Sequence, residues 1–339
     1  MTTLQTEARP SSAVDRLKSL DQGMVVGVLT IVLVAVFAAS ISGFATRGNA
    51  VNVLQAAAGL GILALGQAVV VIGRGLDLSV VTIYAVTAQA AVLAMTNGAS
   101  EPAALLRALI VAVVLGLFNG VMIAYVELPA LFVTLATGLA YLGAARFFFF
   151  DGAIAFAVPG EAKIMNAIGN DAWLGIPVST FVWLGLAVVF WFCATRTAAG
   201  QMIYARGDNP DAAALSGMPT RPLVVLTYVV SAASAFVAGI VIVGAAGSFD
   251  SRALAAGGQL YDVLAIVVIA GVSLAGGRGS IAGVVAATCF LGVLLNAMTL
   301  MNFDTIQQAL FKSLIVLAAL VLDRLLHPTD EETARVGEL

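Results

Sequence analysis

The feature that most constrains this chain is a series of long apolar runs that continues almost from one end to the other. A helix that crosses the hydrocarbon core of a bilayer needs about 20 apolar residues. Barrel strands are shorter, about 9–11 residues, and alternate in polarity, so these runs favour helices. We expect an all-α polytopic membrane protein with about ten transmembrane helices, near residues 24–45, 51–73, 80–96, 103–125, 129–150, 178–195, 223–244, 261–275, 281–300 and 305–326.

The composition excludes most classes of soluble protein. Of the 339 residues, 61% are apolar and 10% are charged, whereas soluble domains average about 45–50% apolar and about 25% charged. So few charges cannot coat two soluble domains, which excludes a cytosolic enzyme, a secreted disulfide scaffold and a disordered chain. Membrane lipid is therefore the expected partner for most of the surface. The net charge of −3 gives no indication of a nucleic-acid partner.

The spans divide the chain into a membrane domain and polar ends. We expect a cytoplasmic N-terminal segment at 1–23, a transmembrane domain at 24–326 and a cytoplasmic tail at 327–339. The first run is too long for a cleaved signal peptide, so we interpret it as a retained span. Two connections are long enough to hold structure: an external loop at 151–177, which mixes charged and apolar residues and could hold a short helix on the outer surface, and a cytoplasmic loop at 196–222.

The orientation follows from the basic residues in the short loops. An even number of spans with the N-terminus inside places both termini in the cytoplasm. Ten of the sixteen Lys and Arg residues then lie on the inner side: Arg9, Arg16, Lys18, Arg74, Arg196, Arg206, Arg221, Arg278, Arg324 and Arg335. The other six lie outside or near the outer edge: Arg47, Arg107, Arg146, Lys163, Arg252 and Lys312.

Residues for catalysis or cofactor binding are missing from the sequence. A phosphate-binding loop needs the pattern Gly-x-x-x-x-Gly-Lys-Ser/Thr, and Lys18, Lys163 and Lys312 all lack that context. Cys193 and Cys289 lie inside apolar runs and are typical of small buried hydrophobic residues. One histidine, His327, cannot build a His-rich metal site. We predict no catalytic residue, no cofactor and no metal.

The cytoplasmic loop at 196–222 carries the signals of a short helix. Asp208 or Asn209 is a suitable N-cap, Pro210 suits the first turn, and Asp211 lies at the positive end of the helix dipole. Gly217 then ends the helix. The segment is either a connector or a docking element for a cytoplasmic partner. In the second case the residues involved are Arg206, Asp208, Asp211, Ala212, Ala213 and Gly217.

Four segments in order carry a family resemblance. Residues 211–217 form the pattern Asp-Ala-Ala-x-x-x-Gly, and residues 73–79 are Gly-Arg-Gly-Leu-Asp-Leu-Ser. Residues 129–137 contain Pro-x-x-Phe-x-Thr-Leu, and residues 276–280 are Gly-Gly-Arg-Gly-Ser. Together they resemble the permease subunits of ribose/galactose-type importers of the ATP-binding-cassette (ABC) class. The sequence departs from that pattern at Asp211, where a Glu is usual, and at Arg74, where we expect a small residue.

The resemblance implies a subunit that translocates a sugar or related polyol across the bacterial inner membrane. It implies three kinds of partner besides lipid: cytoplasmic ABC ATPase subunits on the 196–222 loop, a second permease subunit (the same or a sister chain), and an external solute-binding protein. The ATP would be hydrolysed on a partner chain, so this chain would not itself be an enzyme.

Polar residues inside the spans are the candidates for a translocation path, because polar groups are costly in lipid and usually face a cavity. Uncharged groups of this type suit a neutral sugar: Gln55, Gln67, Gln89, Asn119, Thr134, Thr137 and Asn296. Their alternative role is hydrogen bonding between helices. Asp77 lies at an inner loop edge, where it is either solvated or part of a gate. From this set we select Gln67, Asp77, Asn119, Thr134 and Asn296 as the candidate path.

One pattern hints at an internal repeat. Gly73-Arg74-Gly75 and Gly277-Arg278-Gly279 each follow an apolar run on the same predicted side. Transporters often carry weak repeats with interrupted spans, although Gly and Arg are also common at inner loop edges.

Two other functions remain open at this point. An ion-gradient-driven secondary transporter usually has acidic residues inside its spans, whereas Asp262 and Asp304 lie at span ends. A membrane-embedded enzyme lacks the necessary His, Cys or acidic cluster.

Overall fold

The computed structural model describes residues 22–150, 152, 155–250 and 258–326, and it is almost entirely helical in those ranges. The predicted segments 1–21 and 327–339, and the basic residues Arg9, Arg16, Lys18, Arg252 and Arg335, lie outside the described residues. Among the described residues, each of the ten predicted spans contains a helix. Seven of these helices are long and apolar enough to cross a membrane, and three apolar helices are shorter.

The helices and strands are numbered here in chain order. The first half contains α1 (Gln22–Ser40), α2 (Arg47–Ile72), α3 (Val80–Thr96), α4 (Glu101–Ala124), α5 (Ala130–Phe148), β1 (Ala155–Ala157), α6 (Lys163–Asn170), β2 (Ala172–Trp173) and β3 (Ile176–Pro177). The second half contains α7 (Val178–Arg196), α8 (Ala198–Asp208), α9 (Pro210–Leu215), α10 (Thr220–Ala246), β4 (Ser248–Asp250), α11 (Gly258–Ile269), α12 (Ile281–Leu300) and α13 (Thr305–Leu326).

Burial separates a central group of helices from a peripheral one. In the most apolar 18-residue stretch of α2, 78% of the residues are buried, compared with 11% in α1. Helices α4, α5 and α7 are also little buried, with 28%, 28% and 22% of the residues buried in their most apolar stretches. A soluble protein would bury such side chains, so lipid is the solvent for this outer surface.

Glycines allow very close contacts between helices, because they have no side chain to hold two backbones apart. A Cβ atom built on Gly116 of α4 would lie 2.7 Å from the carbonyl oxygen of Tyr228 in α10, and one on Gly120 would lie 2.7 Å from Cα of Val225. One built on Gly239 of α10 would lie 2.8 Å from the carbonyl oxygen of Tyr84 in α3. Helix α10 therefore packs directly on the backbones of α3 and α4.

The segment predicted to be an external loop is folded onto the helices. Strand β1 pairs antiparallel with β4, and β2 pairs with β3. The short helix expected here is α6, but Met165 is fully buried, so α6 packs into the body instead of lying on its surface. The Glu101 carboxylate accepts hydrogen bonds from the backbone N–H groups of Ile164 and Met165, at 2.9 and 2.8 Å. Glu101 thus fixes α6 to the beginning of α4.

Helix α11 is shorter than the predicted span at 261–275. It ends at Ile269, and the chain turns at Gly271, Gly276 and Gly277, which have φ values of 74°, 90° and 73°. L-residues rarely adopt these left-handed conformations, so the helix cannot continue through them. The interruption brings residues 276–279 back beside the segment that joins α2 to α3.

Candidate functional site

The cytoplasmic segment predicted as a coupling element folds into two helices. Asn209 caps α9 by accepting a hydrogen bond from the N–H of Ala212 at 2.9 Å, with Pro210 in the first turn. Gly217 (φ 79°) turns the chain away after Leu215. These features confirm the predicted helix. Helix α8 was not predicted, although Thr197 caps it by accepting a hydrogen bond from the N–H of Gly200 at 3.2 Å.

Helix α9 presents one face to the surroundings. Asp211, Ala212 and Ala214 are exposed, and Leu215 is 91% exposed. Ala213 is 3% exposed, because it faces the body of the protein. A partner can therefore contact α9 on its exposed face but not on the side of Ala213. Asp208, at the end of α8, is exposed next to the same face.

Helix α8 is anchored to the turn after α2. The Arg206 guanidinium donates a hydrogen bond to the carbonyl oxygen of Gly73. Burial, together with the nearby Arg74, lowers the pKa of Arg206. A Cβ atom on Gly207 would collide with the carbonyl oxygen of Ile72, so the α8 backbone touches the end of α2 directly.

The same helix also contacts the second Gly-Arg-Gly triplet. The Tyr204 hydroxyl donates to the carbonyl oxygen of Gly279 at 2.9 Å. The N–H of Gly277 donates to the carbonyl oxygen of Ile72, also at 2.9 Å. A Cβ atom on Gly277 would lie 2.6 Å from Cα of Asp208. The two triplets noted in the sequence thus meet beside α8. We call this contact of residues 72–75, 204–208 and 276–279 the glycine joint.

A buried polar cluster lies where the chain passes from α2 to α3. One Asp77 carboxylate oxygen accepts from the backbone N–H and the hydroxyl of Ser79, at 3.0 and 2.6 Å. The other accepts from the hydroxyl of Ser231 at 2.8 Å. Because Asp77 is fully buried, the alternative that it is solvated at a loop edge is wrong.

The cluster extends to α4 and α5. The Asn119 amide donates to the Ser79 hydroxyl at 2.8 Å and accepts from the Tyr141 hydroxyl at 2.7 Å. The Thr134 and Tyr228 hydroxyls both donate to the carbonyl oxygen of Leu76, at 3.2 and 3.3 Å. The cluster therefore satisfies polar groups that the interrupted helix leaves without partners.

Gln67 belongs to the same cluster. In the orientation that pairs both of its amide atoms, it donates to the carbonyl oxygen of Asp77 at 2.9 Å and accepts from the N–H of Asp77 at 3.3 Å. Like Asn119 and Thr134, it is fully buried. Four of the five selected path residues thus come together, but they brace the chain break and do not line an open passage.

Asn296 lies elsewhere. It exchanges two hydrogen bonds with Asn49, at 2.9 and 2.8 Å, which join α12 to the first turn of α2. The sequence also missed cluster members that carry no motif. Ser231 and Tyr228 are one turn apart in an apolar helix, and this spacing was the available signal.

The glycine joint and the Asp77 cluster are held by hydrogen bonds and close backbone packing. Within the described ranges no group of three or more His, Cys, Asp or Glu side chains is placed to hold a metal ion. Asp262, assigned from sequence to a span end, is the fifth residue of α11. It pairs with Lys312 of α13 at 2.6 Å, with the two side chains 10% and 15% exposed.

Comparison with known proteins adds independent information. Residues 49–322 match the family model described as the branched-chain amino acid transport system / permease component. The ribose import permease protein RbsC of Escherichia coli K12 is 29% identical over 86% of this chain and 91% of its own length. The galactofuranose transporter permease protein YtfT of the same strain is 29% identical over 81% and 79%.

A third relative, the fructose import permease protein FrcC of Rhizobium meliloti, is 30% identical over 80% of this chain and 76% of its own length. No solved structure matches the chain significantly.

Proposed function

We propose a transport function for this chain, which belongs to the family of branched-chain amino acid transport system permease components. The relatives named above are sugar ABC importer permeases. It is a multi-pass protein of the bacterial inner membrane. The proposed role is the membrane-spanning subunit of an ABC importer that translocates a sugar or related polyol. An external binding protein would deliver the substrate, and separate ATPase subunits would supply the energy.

The glycine joint is the observation that carries this proposal. Exposed residues of α9 can meet a partner, and α8, which directly precedes α9, contacts the turns after both α2 and α11. Coupling between distant sites needs a physically connected element. An ATPase that moves α9 would therefore also move two interrupted segments of the membrane domain. Asp208 and Asp211 favour a partner surface with basic or polar groups at this point.

The proposed topology has ten spans, with both termini and the 196–222 segment in the cytoplasm. The domain boundaries are those given by the sequence: 1–23, 24–326 and 327–339. A second permease subunit, the same or a sister chain, would complete the pore. Reporter insertions test the orientation. A periplasm-active reporter after Gly160, whose surroundings are open, should give signal, and one after Gly217 should not. The reverse pattern would contradict the docking of an ATPase on α9.

The energy source is tested by reconstitution. The purified chain should neither bind nor hydrolyse ATP. With its ATPase partner in proteoliposomes, hydrolysis should appear and should rise when sugar-loaded binding protein is added.

An ion-gradient-driven secondary transporter is the alternative. The buried carboxylates of Asp77 and Asp262 favour it, because such groups often couple transport to ions. Against it, the hydrogen bonds and the Lys312 ion pair already occupy those carboxylates. Gradient-driven uptake into vesicles that lack any ATPase would establish the alternative and contradict the proposal.

A further inference from the structure

Of the seven uncharged polar residues that the sequence suggests for a translocation path, six have hydrogen-bond partners among the described residues. Gln55 donates to the carbonyl oxygen of Gly169, and Thr137 donates to that of Thr134. The partners of Gln67, Asn119, Thr134 and Asn296 are described above. Each of these residues therefore stabilises the folded protein through its hydrogen bond. This is the alternative role of polar groups inside membrane spans, in place of contact with a substrate.

Gln89 is the exception. Its side chain is 1% exposed, and neither its amide nitrogen nor its amide oxygen has a hydrogen-bond partner among the described residues. A buried amide without partners destabilises the folded protein, so the fold alone gives no reason for a glutamine here.

The position of Gln89 supplies a second observation. It is the tenth of the seventeen residues of α3, and a cavity of about 640 Å³ lies between α3, α4 and α5. Val86 and Leu93 line this cavity, whereas Gln89 itself does not. Gln89 lies on the neighbouring part of the helix surface, three residues after Val86 and four before Leu93. The volume lies within the range of small-molecule sites, about 300–1,000 Å³.

The cavity wall combines apolar side chains with a few polar groups. Asn97, Arg107 and Tyr141 contribute to it, and the remaining lining is aliphatic, aromatic or glycine. Ligand sites commonly have this composition, with polar groups that fix orientation and apolar groups that cover the rest. A sugar offers both apolar C–H faces and hydroxyl groups, and an amide can donate to one hydroxyl and accept from another.

We propose that Gln89 binds hydroxyl groups of the transported sugar, which occupies the cavity beside α3 during the transport cycle. The inference rests on the proposed function and extends it to a substrate-contacting residue. In this structure the Gln89 amide is buried between helices, so contact requires α3 to shift relative to its neighbours. Alternating access in a transporter provides such a shift.

The test compares Gln89→Leu with Gln55→Leu, because leucine has a similar volume and no polar atoms. Both variants and the wild type are expressed with their ATPase and binding protein. Uptake of radiolabelled D-ribose, D-fructose and D-galactose is measured, along with the melting temperature of the purified chain. Gln89→Leu should melt at or above the wild-type temperature and lose at least tenfold in uptake. Gln55→Leu should melt lower, with uptake in proportion to the folded protein.

Two results would overturn the inference while leaving the proposed function intact. One is a melting temperature for Gln89→Leu that falls as far as that of Gln55→Leu, and the other is uptake within twofold of the wild type. If the wild-type complex takes up none of the three sugars, the sugar assignment fails, and the inference about Gln89 fails with it.

The cavity is tested separately with Ala90→Phe, which fills it. We expect uptake to fall at least fivefold with no loss of melting temperature. If uptake is unchanged, and native mass spectrometry finds a phospholipid that the wild type retains and Ala90→Phe loses, the cavity is a lipid site. That result would overturn its assignment to the sugar.

Discussion

The N–H of Gly277 donates a hydrogen bond to the carbonyl oxygen of Ile72, 205 positions earlier in the sequence, at a distance of 2.9 Å. This bond joins the end of α2 to the turn after α11, and Gly207 of α8 packs against both partners. Interrupted helices leave backbone groups unpaired, and in a membrane these groups must be satisfied within the protein. Here a backbone N–H from the turn after α11 pairs with a backbone carbonyl oxygen at the end of α2. We therefore expect the two interrupted segments to move together.

A first prediction concerns the close approach at Gly207. In Gly207→Ala the new methyl group would collide with the Ile72 carbonyl oxygen, which is backbone and cannot turn aside. Overpacking of this kind costs about 1–3 kcal/mol, so we expect a lower melting temperature and weaker coupling of ATP hydrolysis to uptake. Gly185→Ala is the control: nothing lies near that position, and alanine favours the helix by up to about 1 kcal/mol. Equal melting temperatures for the two variants would contradict the tight contact.

A second prediction concerns Arg74, the residue that departs from the family pattern. Arg74 has a φ of 62°, a left-handed conformation that costs a non-glycine residue about 1–2 kcal/mol. Arg74→Gly should relieve this strain, but the greater freedom of glycine in the unfolded chain offsets part of the gain, so we expect a net stabilisation of about 0.5–1 kcal/mol. Thermal unfolding measures this. In Arg107→Gly, inside α4, the same replacement should destabilise, so a stability loss in both variants would argue against strain at Arg74.

The spans were predictable from sequence because a run of apolar residues is a local property. The caps of α9 were predictable for the same reason, since Asn209 and Pro210 act on the adjacent turn. Helix α8 was missed because its charged and polar residues show no period, and it is held by contacts with the distant residues Gly73 and Gly279.

The roles of the polar residues were less predictable, because a hydrogen-bond partner is a tertiary property. Gln67, Asn119 and Asn296 look alike in the sequence, yet two of them brace the α2–α3 break and one joins α12 to α2. The sequence could identify the polar residues in the spans. It could not distinguish those that have partners from Gln89, which has none among the described residues.

A third prediction separates docking from folding on α9. Leu215 is 91% exposed and Ala213 is 3% exposed. Leu215→Asp should leave the melting temperature nearly unchanged, since exposed substitutions usually alter stability by no more than about 0.5 kcal/mol, but it should weaken association with the ATPase. Ala213→Trp should lower the melting temperature, because the ring has no room against the body. Co-purification with the ATPase measures the first effect, and normal association of Leu215→Asp would remove this face of α9 from the interface.

The last prediction concerns the ion pair between Asp262 of α11 and Lys312 of α13. The two side chains are 10% and 15% exposed, and their charged atoms are 2.6 Å apart. Removing one partner of a buried pair leaves the other charge uncompensated, at a cost of about 3–5 kcal/mol. Asp262→Asn and Lys312→Met should therefore each destabilise strongly, while the double variant recovers most of the loss because no charge remains.

The pair between Glu127 and Arg221 is the matched control, since its side chains are 68% and 56% exposed and exposed pairs contribute about 0–1 kcal/mol. A double-mutant cycle of melting temperatures for each pair gives the coupling directly. Equal, small couplings would show that water screens the Asp262–Lys312 pair as well.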